Sequence, residues 1–292
     1  MQYDMPLYRP PSEANSLIFQ ITLGCSWNRC LFCGMYKSKR YQVRKWEEIE
    51  KDVLEMAWLQ PDTRRIFLAD GDALGVETPF LIRILELLNE KFRSLERVGI
   101  YAGPTNFKDK TISNLKALRK RKLDMLYLGI ETGNDDLLKR ICKGAGSAEI
   151  IEAGRKALDA GLRLSTIILL GLGGVDGSFV HAKDSAKVVN AINPSFLSCL
   201  TLMLGHFSEV YETKIMGDGF KLLDKRQSLQ ELRWFVEDLE LKGTHFGTEH
   251  ASNYLPIHGD FPQDKQKILK LIDMALGDKK SGLLRPEWAR GL

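Results

Sequence analysis

Short runs of β-branched and apolar residues alternate with longer amphipathic stretches along the chain from Leu17 onward. Runs of the first kind are typical of buried strands, and stretches of the second kind are typical of helices that cover a sheet. Their alternation predicts an α/β fold in which six parallel strands are joined by crossover helices. The predicted strands cover residues 17–24, 65–70, 97–103, 125–131, 163–171 and 195–204.

The predicted helices fill the intervals between these strands and continue beyond the sixth. Thr78 followed by Pro79 has the form of a helix N-cap and a first helical residue, and Gly161 ends the fourth helical stretch. The helical stretches cover residues 45–59, 79–93, 109–121, 147–160, 178–192, 226–242 and 262–276.

Three cysteines, Cys25, Cys30 and Cys33, lie within nine residues directly after the first predicted strand. Thiolates crowded on one short loop are soft ligands that suit a zinc ion or an iron–sulfur cluster. A cubane cluster accepts ligands from a loop that is too tight to wrap four of them around one metal ion. Three protein ligands would leave one iron open, and we favour such a cluster.

A closed zinc site, a disulfide and plain reduced thiols are the alternatives. Structural zinc takes four protein ligands, usually as two separated pairs. The chain offers no second pair, because Cys142 and Cys199 each stand alone and every histidine is distant from the loop in sequence. A disulfide would leave an odd thiol on the loop. We expect Cys142 and Cys199 to be inert core residues rather than hydrogen-atom donors.

Polar groups or glycines also follow three other predicted strands. Residues 70–72, Asp-Gly-Asp, follow the second strand, Glu131 ends the fourth, and a glycine run begins at Gly171 after the fifth. The carboxyl ends of parallel strands meet on one face, where chemistry collects, so we expect these groups to share a site with the cysteine loop. The alternatives are turn capping, an ion pair for Glu131, and glycines that only permit positive φ.

Composition limits the class of protein further. With 292 residues and 44% hydrophobic content, the chain can bury the core of one barrel-sized domain, alone or with an appendage. The 42 basic and 38 acidic residues give a mixed surface rather than a nucleic-acid footprint. No apolar run is long enough to span a membrane and no signal pattern begins the chain, so a soluble, cytoplasmic protein without a membrane partner is expected.

With these residues the chain resembles the radical SAM superfamily, whose members hold a 4Fe-4S cluster on a cysteine loop after the first strand of a partial six-stranded barrel. The resemblance covers residues 15 to 205. It implies an α/β partial (β/α)6 TIM-like barrel over residues 1–205 and a C-terminal helical extension, residues 206–292, that covers the barrel. The family's commonest loop has three residues between its first two cysteines, whereas this chain has four.

Two further segments are similar to a group of short radical SAM proteins. That group begins Tyr-Arg-Pro-Pro-Ser-Glu and ends Ala-Ser-Asn-Tyr-Leu-Pro, as at residues 8–13 and 251–256. No second cysteine group is present for an auxiliary cluster, and little chain precedes the first strand for a cobalamin domain. We therefore disfavour the radical SAM classes that need an auxiliary cluster or a cobalamin-binding domain.

The resemblance also implies the cofactors and their ligands. A 4Fe-4S cluster would be held by Cys25, Cys30 and Cys33, and S-adenosyl-L-methionine (SAM) would bind its open iron. In relatives, SAM lies near the aromatic residue before the third cysteine and near the segment after the second strand. It also lies near the glutamate at the end of the fourth strand and the glycines after the fifth strand. The implied cofactor-binding residues are Phe32, Asp70, Gly71, Asp72, Glu131, Gly171 and Gly173.

Residues 245–254, after the sixth helical stretch, carry an unusual variety of hydrogen-bonding side chains. A radical needs a closed cavity, so this segment is predicted to lie over the open end of the barrel, with His250 and Tyr254 as catalytic residues on the substrate side. The alternative is that these side chains satisfy backbone groups in a buried irregular loop.

The expected function is an enzyme that cleaves SAM reductively to a 5′-deoxyadenosyl radical and acts on a small-molecule substrate. An RNA-modifying radical SAM enzyme, a non-catalytic iron–sulfur electron-transfer protein and a zinc-dependent binding module are the alternatives. An electron donor such as flavodoxin or ferredoxin is an expected partner. The basic run at residues 37–45 would contact that electron donor, contact an RNA backbone or be exposed only to solvent.

Overall fold

The structure is a computed structural model that describes residues 1–205, 209–217, 219–277, 282 and 284–291. Its strands are β1 (Leu17–Gln20), β2 (Thr22–Leu23), β3 (Gln42–Val43), β4 (Arg65–Ala69), β5 (Arg97–Ala102), β6 (Leu123–Glu131), β7 (Arg163–Leu170), β8 (Phe196–Thr201), β9 (Thr244–Gly247) and β10 (His258–Phe261). Its α-helices are α1 (Trp46–Leu59), α2 (Thr78–Lys91), α3 (Ile112–Lys120), α4 (Asp135–Arg140), α5 (Ser147–Asp159), α6 (Gly174–Ile192), α7 (Lys225–Glu237) and α8 (Lys265–Gly277).

The strands form an eight-stranded, mostly parallel sheet, and β2 and β3 pair separately as a short antiparallel ribbon. The mixed α/β class expected from the sequence is therefore confirmed. All six predicted strands are present, the first of them divided into β1 and β2. Among the described residues, no helix has both the length and the apolar character that crossing a membrane requires.

The chain divides into two compact units, the first of which comprises Met1–Leu128 and Ala153–Leu164. In this unit β4 pairs in parallel with β1 on one side and with β5 on the other, and β5 pairs in parallel with β6. Its core includes the fully buried rings of Phe19, Phe67 and Phe92. Phe67 also packs edge-on against Tyr101, with ring centroids 5.0 Å apart.

The N-terminal segment of this unit is fixed by a buried carboxylate. Glu13 accepts hydrogen bonds from Arg97 Nη1 at 2.6 Å and from the Tyr127 hydroxyl at 2.5 Å. A Cβ on Gly99 would lie 2.9 Å from Glu13 Oε1, so glycine makes room for the carboxylate on β5. The last residue of the Tyr-Arg-Pro-Pro-Ser-Glu segment therefore has a structural role.

The second unit comprises Gly129–Glu152 and Ser165–Leu292. In it β8 pairs in parallel with both β7 and β9, and β10 returns antiparallel to β9. Phe235, Phe246 and Phe261 are fully buried in its core. The division of the chain at residue 205 into a barrel and an extension remains a prediction, and residue 206 lies outside the described residues.

The structure departs from the predicted elements in several places, of which the following bear on the site or on the C-terminal region. Helix α2 begins at Thr78 with Glu77 as its N-cap, one residue earlier than predicted, and α6 begins at Gly174 rather than near residue 178. The six-residue helix α4 was not predicted. The C-terminal region adds the strands β9 and β10 to the expected helices, because Thr244 and Phe246 alternate with exposed His245 in the period of a strand.

Candidate functional site

The cysteine loop runs from β2 to β3 without helix or strand between residues 25 and 41. Cys25, Cys30 and Cys33 are half-buried there, and none of them forms a disulfide. The backbone N–H groups of Trp27 and Asn28 face the Cys25 sulfur, while burial raises the pKa of this thiol. The loop thus offers thiol groups that remain accessible to a ligand.

Asp72 attaches this loop to the ends of two strands. Its side chain is buried and accepts hydrogen bonds from the Ser26 hydroxyl, from the Gly103 N–H at 3.1 Å and from Asn106 Nδ2 at 3.1 Å. Ser26 follows the first cysteine, whereas Gly103 follows β5. One carboxylate therefore fixes the cysteine loop against the carboxyl ends of β4 and β5.

Asp70 closes the base of the same loop. Its fully buried carboxylate pairs with Lys39 Nζ at 3.1 Å and accepts hydrogen bonds from the Gly24 N–H at 3.0 Å and from Gln20 Nε2 at 3.4 Å. Because Gly24 precedes Cys25 and Lys39 lies near the end of the loop, Asp70 joins both ends of the loop to β4. Lys39 is also not a surface residue, since only 6% of its side chain is exposed.

Tyr36 packs the loop onto the segment that follows β4. Its ring is buried, and a Cβ on Gly71 would lie only 2.4 Å from that ring and 3.3 Å from the Cys25 Cβ. The edge of Tyr8 packs against the same ring, with centroids 5.4 Å apart. Glycine at position 71 therefore lets Tyr36 and Cys25 approach the strand end closely.

In the second unit, Glu131 ends β6 with its backbone in the left-handed region, at φ 67°. Its side chain folds back so that Oε1 accepts a hydrogen bond from Lys143 Nζ at 2.9 Å. A Cβ on Gly129 would lie 2.0 Å from this oxygen, which explains the glycine two residues earlier. The ion pair proposed as the alternative role of Glu131 is thus present.

The glycine run after β7 is held by a buried carboxylate from α7. Gly171, at φ 91°, donates its N–H to Glu231 Oε1 at 2.7 Å. The same oxygen lies 3.1 Å from His181 Nδ1, while His181 Nε2 lies 3.4 Å from the Glu131 carbonyl oxygen. Two strand ends predicted to contact the cofactor are therefore connected through His181 and Glu231.

Three residues near the glycine run have further properties: Glu231, Cys199 and Gly173. Glu231 Oε2 is buried and has no hydrogen-bond partner among the described residues. Burial raises the pKa of the Cys199 thiol, and the charge of Glu231 raises it further. Gly173 is the N-cap of α6, where a Cβ would lie 2.9 Å from the Gly177 backbone.

The polar segment predicted to cover the barrel begins as β9 and continues as the loop from residue 248 to residue 257. Because β9 is parallel to β8, this loop begins at the edge of the sheet where β8 also ends. Ser252 Oγ accepts from the Thr201 N–H at 3.1 Å, and Asn253 Oδ1 accepts from Thr201 Oγ1 at 2.9 Å. Both bonds fasten the loop to the last residue of β8.

Tyr254, predicted to be catalytic, is buried and bonded within the C-terminal segment. Its hydroxyl donates to Glu287 Oε2 at 2.8 Å and accepts from Arg290 Nη1 at 2.5 Å, while the Arg290 guanidinium lies over its ring. Burial raises the pKa of Tyr254 to about 12. His250, by contrast, is half-buried.

The cysteine loop fits the ligand set of an iron–sulfur cluster. A cluster takes each thiolate on a different iron, and three half-buried thiols on one irregular loop can supply such ligands. Among the described residues, no group of three or more His, Cys, Asp or Glu side chains is arranged to hold one metal ion.

The sequence pattern of the radical SAM superfamily matches residues 19–186, more than half of the chain. The chain belongs to the radical SAM superfamily. The match begins in β1 and ends within α6, so it includes the cysteine loop, the segment after β4, Glu131 and the glycine run.

One relative of known name is similar to this chain at low identity. The heme chaperone HemW of Bacillus subtilis (strain 168) is 21% identical over 187 residues, which are 64% of this chain and 48% of HemW. This radical SAM protein therefore spans about half the length of that relative.

Solved structures confirm the fold class. Methylornithine synthase (PylB) is 16% identical, with a TM-score of 0.52 over 91% of this chain and 82% of PylB. Native anSMEcpe with bound AdoMet is 14% identical, with a TM-score of 0.54 over 76% of this chain and 58% of that one. At such identities the likeness shows the fold alone, which is the partial TIM-like barrel of radical SAM proteins.

The predicted site residues thus fall into two groups. In the first unit the structure brings Cys25, Asp70, Gly71 and Asp72 together around the cysteine loop, with Phe32 half-buried on that loop. In the second unit it connects Glu131 with Gly171 and places His250 and Tyr254 on the loop after β9. The supporting residues that the sequence did not single out are Ser26, Tyr36, Lys39, Lys143, His181 and Glu231.

Proposed function

We propose that this protein is an enzyme that holds a 4Fe-4S cluster on Cys25, Cys30 and Cys33 and cleaves SAM reductively. The observation that carries this proposal is the loop of three half-buried thiols outside any disulfide in a chain of the radical SAM superfamily. When bound, the two cofactors supply a 5′-deoxyadenosyl radical, because one electron from the cluster breaks the sulfonium carbon–sulfur bond of SAM and methionine leaves.

The residues of the first unit would shape the cluster end of the site. Asp70, paired with Lys39, and Asp72, bonded to Ser26, hold the cysteine loop in place. The carboxylate of Asp70 is already engaged by Lys39, Gly24 and Gln20, so we propose that it acts on SAM chiefly by fixing this loop. Gly71 and Phe32 would provide surface next to the cofactor.

Three residues of the second unit, Glu131, Gly171 and Gly173, are the further SAM-binding residues that we propose. Glu131 would accept hydrogen bonds from the cofactor, with Lys143 holding its carboxylate in position. Gly171 and Gly173, which lack side chains, would let backbone groups approach the ligand closely. We propose His250 as a substrate-side residue, whereas the bonds of Tyr254 to Glu287 and Arg290 support a structural role for that residue.

A small molecule is the substrate class that we favour. Basic and acidic residues number 42 and 38, which is not the charge balance of an RNA-binding surface. A heme chaperone and a methylornithine synthase concern unlike molecules, so the relatives select no single substrate.

Flavodoxin or ferredoxin would deliver the electron. The exposed residues Lys37, Arg40 and Lys45 beside the cysteine loop would form its binding surface. A cytoplasmic location belongs to the same proposal, since thiols stay reduced there.

Anaerobic reconstitution tests the class of function directly. The protein, given iron and sulfide and then dithionite and SAM, is expected to bind about four irons and to form 5′-deoxyadenosine and methionine in equal amounts. Iron, sulfide and zinc are measured in the same samples. Zinc without sulfide would contradict the cluster, and a reducible cluster that forms no 5′-deoxyadenosine would favour an electron-transfer protein. Tight tRNA binding with a steep salt dependence would favour RNA as substrate.

Replacement of Glu131 with Ala is expected to weaken SAM binding about tenfold or more, since a hydrogen bond to a charged group contributes about 1.5–3 kcal/mol. The dissociation constant is measured by equilibrium dialysis with the cluster-loaded protein. Asp136→Ala, at an exposed position of the neighbouring helix α4, is the matched control and should bind SAM normally. Normal affinity in Glu131→Ala, together with equal losses of stability in Glu131→Ala and Lys143→Ala, would leave Glu131 with a structural role only.

A further inference from the structure

Two hydrogen bonds converge on Nδ1 of His250. The Ser252 backbone N–H donates to this nitrogen at 3.2 Å, and Ser252 Oγ lies 2.9 Å from it. A backbone N–H can only donate, so Nδ1 accepts and carries a lone pair rather than a hydrogen.

The Thr201 backbone fixes the direction of the second bond. Its N–H donates to Ser252 Oγ at 3.1 Å, so the hydroxyl oxygen is the acceptor in that contact. The hydroxyl hydrogen is then available to Nδ1 of His250. Because Thr201 is the last residue of β8, the end of this strand helps determine which nitrogen of His250 is protonated.

The surroundings of the ring disfavour its charged form. Arg285 Nη1 donates to the His250 carbonyl oxygen at 2.9 Å and to the Asn253 carbonyl oxygen at 2.8 Å, which places a guanidinium beside the half-buried ring. Burial and the charge of Arg285 hold the pKa of His250 below its ordinary value. A neutral imidazole whose Nδ1 accepts carries its hydrogen on Nε2.

We propose that Ser252 is a positioning residue that holds His250 as the neutral tautomer protonated at Nε2, and that this N–H donates to an acceptor oxygen of the substrate. Both of the ring's hydrogen bonds in the described part of the chain are made by Nδ1, which leaves the Nε2–H for a ligand. The identification of the ligand as substrate rests on the proposed function. The tautomer rests only on the bonds of Ser252.

The direction of this bond selects the chemistry of the substrate. A carbonyl, carboxylate or phosphate oxygen satisfies the Nε2–H, whereas an ammonium or amide N–H in the same place leaves two donors facing each other. A neutral His250 protonated at Nε2 also cannot take up a proton at that nitrogen. It is therefore a hydrogen-bond donor rather than a general base.

Nitrogen NMR of the full, cluster-loaded protein tests the tautomer without any turnover. The chain has five histidines, and after labelling with ¹⁵N-histidine the His250 signals are identified by their absence from His250→Asn. We expect one-bond coupling to hydrogen at Nε2 and none at Nδ1. In Ser252→Ala the backbone N–H still donates to Nδ1 but the hydroxyl does not, so a fraction of the second tautomer or of the imidazolium should appear beside the Nε2–H form. Ser178→Ala, which changes a serine on α6, should leave the signals unchanged.

A titration with simple acceptors tests the ligand class. Inorganic phosphate or acetate is expected to shift the His250 Nε2–H resonance and to saturate it, whereas sodium chloride at equal ionic strength is not. Coupling at Nδ1 in the wild type would overturn the tautomer, and signals unchanged in Ser252→Ala would overturn the role of Ser252. No shift with either acceptor would overturn the substrate class. Failure of SAM cleavage would refute the proposed function separately and would leave the tautomer standing.

Discussion

Individual replacement of Cys25, Cys30 or Cys33 with Ala is expected to reduce cluster iron to under about a tenth of the wild-type content, because in the proposed cluster each thiolate would be the sole protein ligand of one iron. Formation of 5′-deoxyadenosine should disappear with the cluster. Iron and sulfide analysis and the visible absorption spectrum after anaerobic reconstitution measure the first effect, and chromatography of the SAM reaction measures the second.

Cys142→Ala and Cys199→Ala are the matched controls. Cys199 is fully buried, as expected, whereas Cys142 is exposed, so the expectation of a core position for Cys142 is wrong. Both lie in the second unit, and the cysteine loop lies in the first. Both variants should keep their iron, sulfide and SAM cleavage. A loop variant that retains an intact cluster would remove that cysteine from the ligand set. Loss of the cluster in a control variant would mean that the cysteine loop alone does not account for cluster binding.

Gly71→Ala is expected to destabilise the protein by about 1–3 kcal/mol, the usual range for overpacking a well-filled interior. The new Cβ would lie 2.4 Å from the ring of Tyr36, which cannot retreat easily because it is buried and contacts Tyr8. Cluster content should also fall, since Cys25 lies at the same contact. Urea unfolding of the protein without cluster gives the free energy, and iron analysis after reconstitution gives the cluster content.

A double-mutant cycle identifies the cause of this effect. In a Tyr36→Ala background the ring is absent, so Gly71→Ala should lower the free energy of unfolding much less than it does in the wild type. Gly177→Ala is the control for a glycine replacement as such, because no atom lies within 4 Å of its added Cβ in α6. It should stabilise the helix by about 0.5–1 kcal/mol. An equal loss of unfolding free energy from Gly71→Ala in both backgrounds would rule out the contact with Tyr36 as the cause.

The strands and the cysteine loop could be predicted because both depend on local sequence. A buried parallel strand such as 125–131 is a nearly continuous apolar run, which here ends in Glu131. The residues that follow it lie at its carboxyl end, and this does not depend on the rest of the chain. The same holds for the segment after β4 and the glycine run after β7. Periodicity and topology together were therefore enough to find these candidate segments.

The roles within the site could not be predicted because they depend on contacts between distant residues. Lys39 and Asp70 are 31 positions apart, and the basic run that contains Lys39 resembles an ordinary surface segment. Glu231 lies on an amphipathic helix, where a carboxylate is expected to face solvent, but its side chain reaches Gly171. Strand β9 was missed because its four residues look like part of a polar loop, although Thr244 and Phe246 follow the period of a strand.

The buried carboxylate of Glu231 also bears on how this protein can diversify. One oxygen of this side chain holds the Gly171 N–H and contacts His181, which in turn contacts the Glu131 carbonyl. Substitutions at these positions should therefore be epistatic, since a change at one strand end alters the conditions under which a change at the other is tolerated. His250 belongs to a different hydrogen-bond network, anchored on Thr201 and Ser252. Under the proposed function, substrate preference would therefore drift in a lineage through the loop after β9, while the strand ends proposed to face the cofactor remain under joint selection.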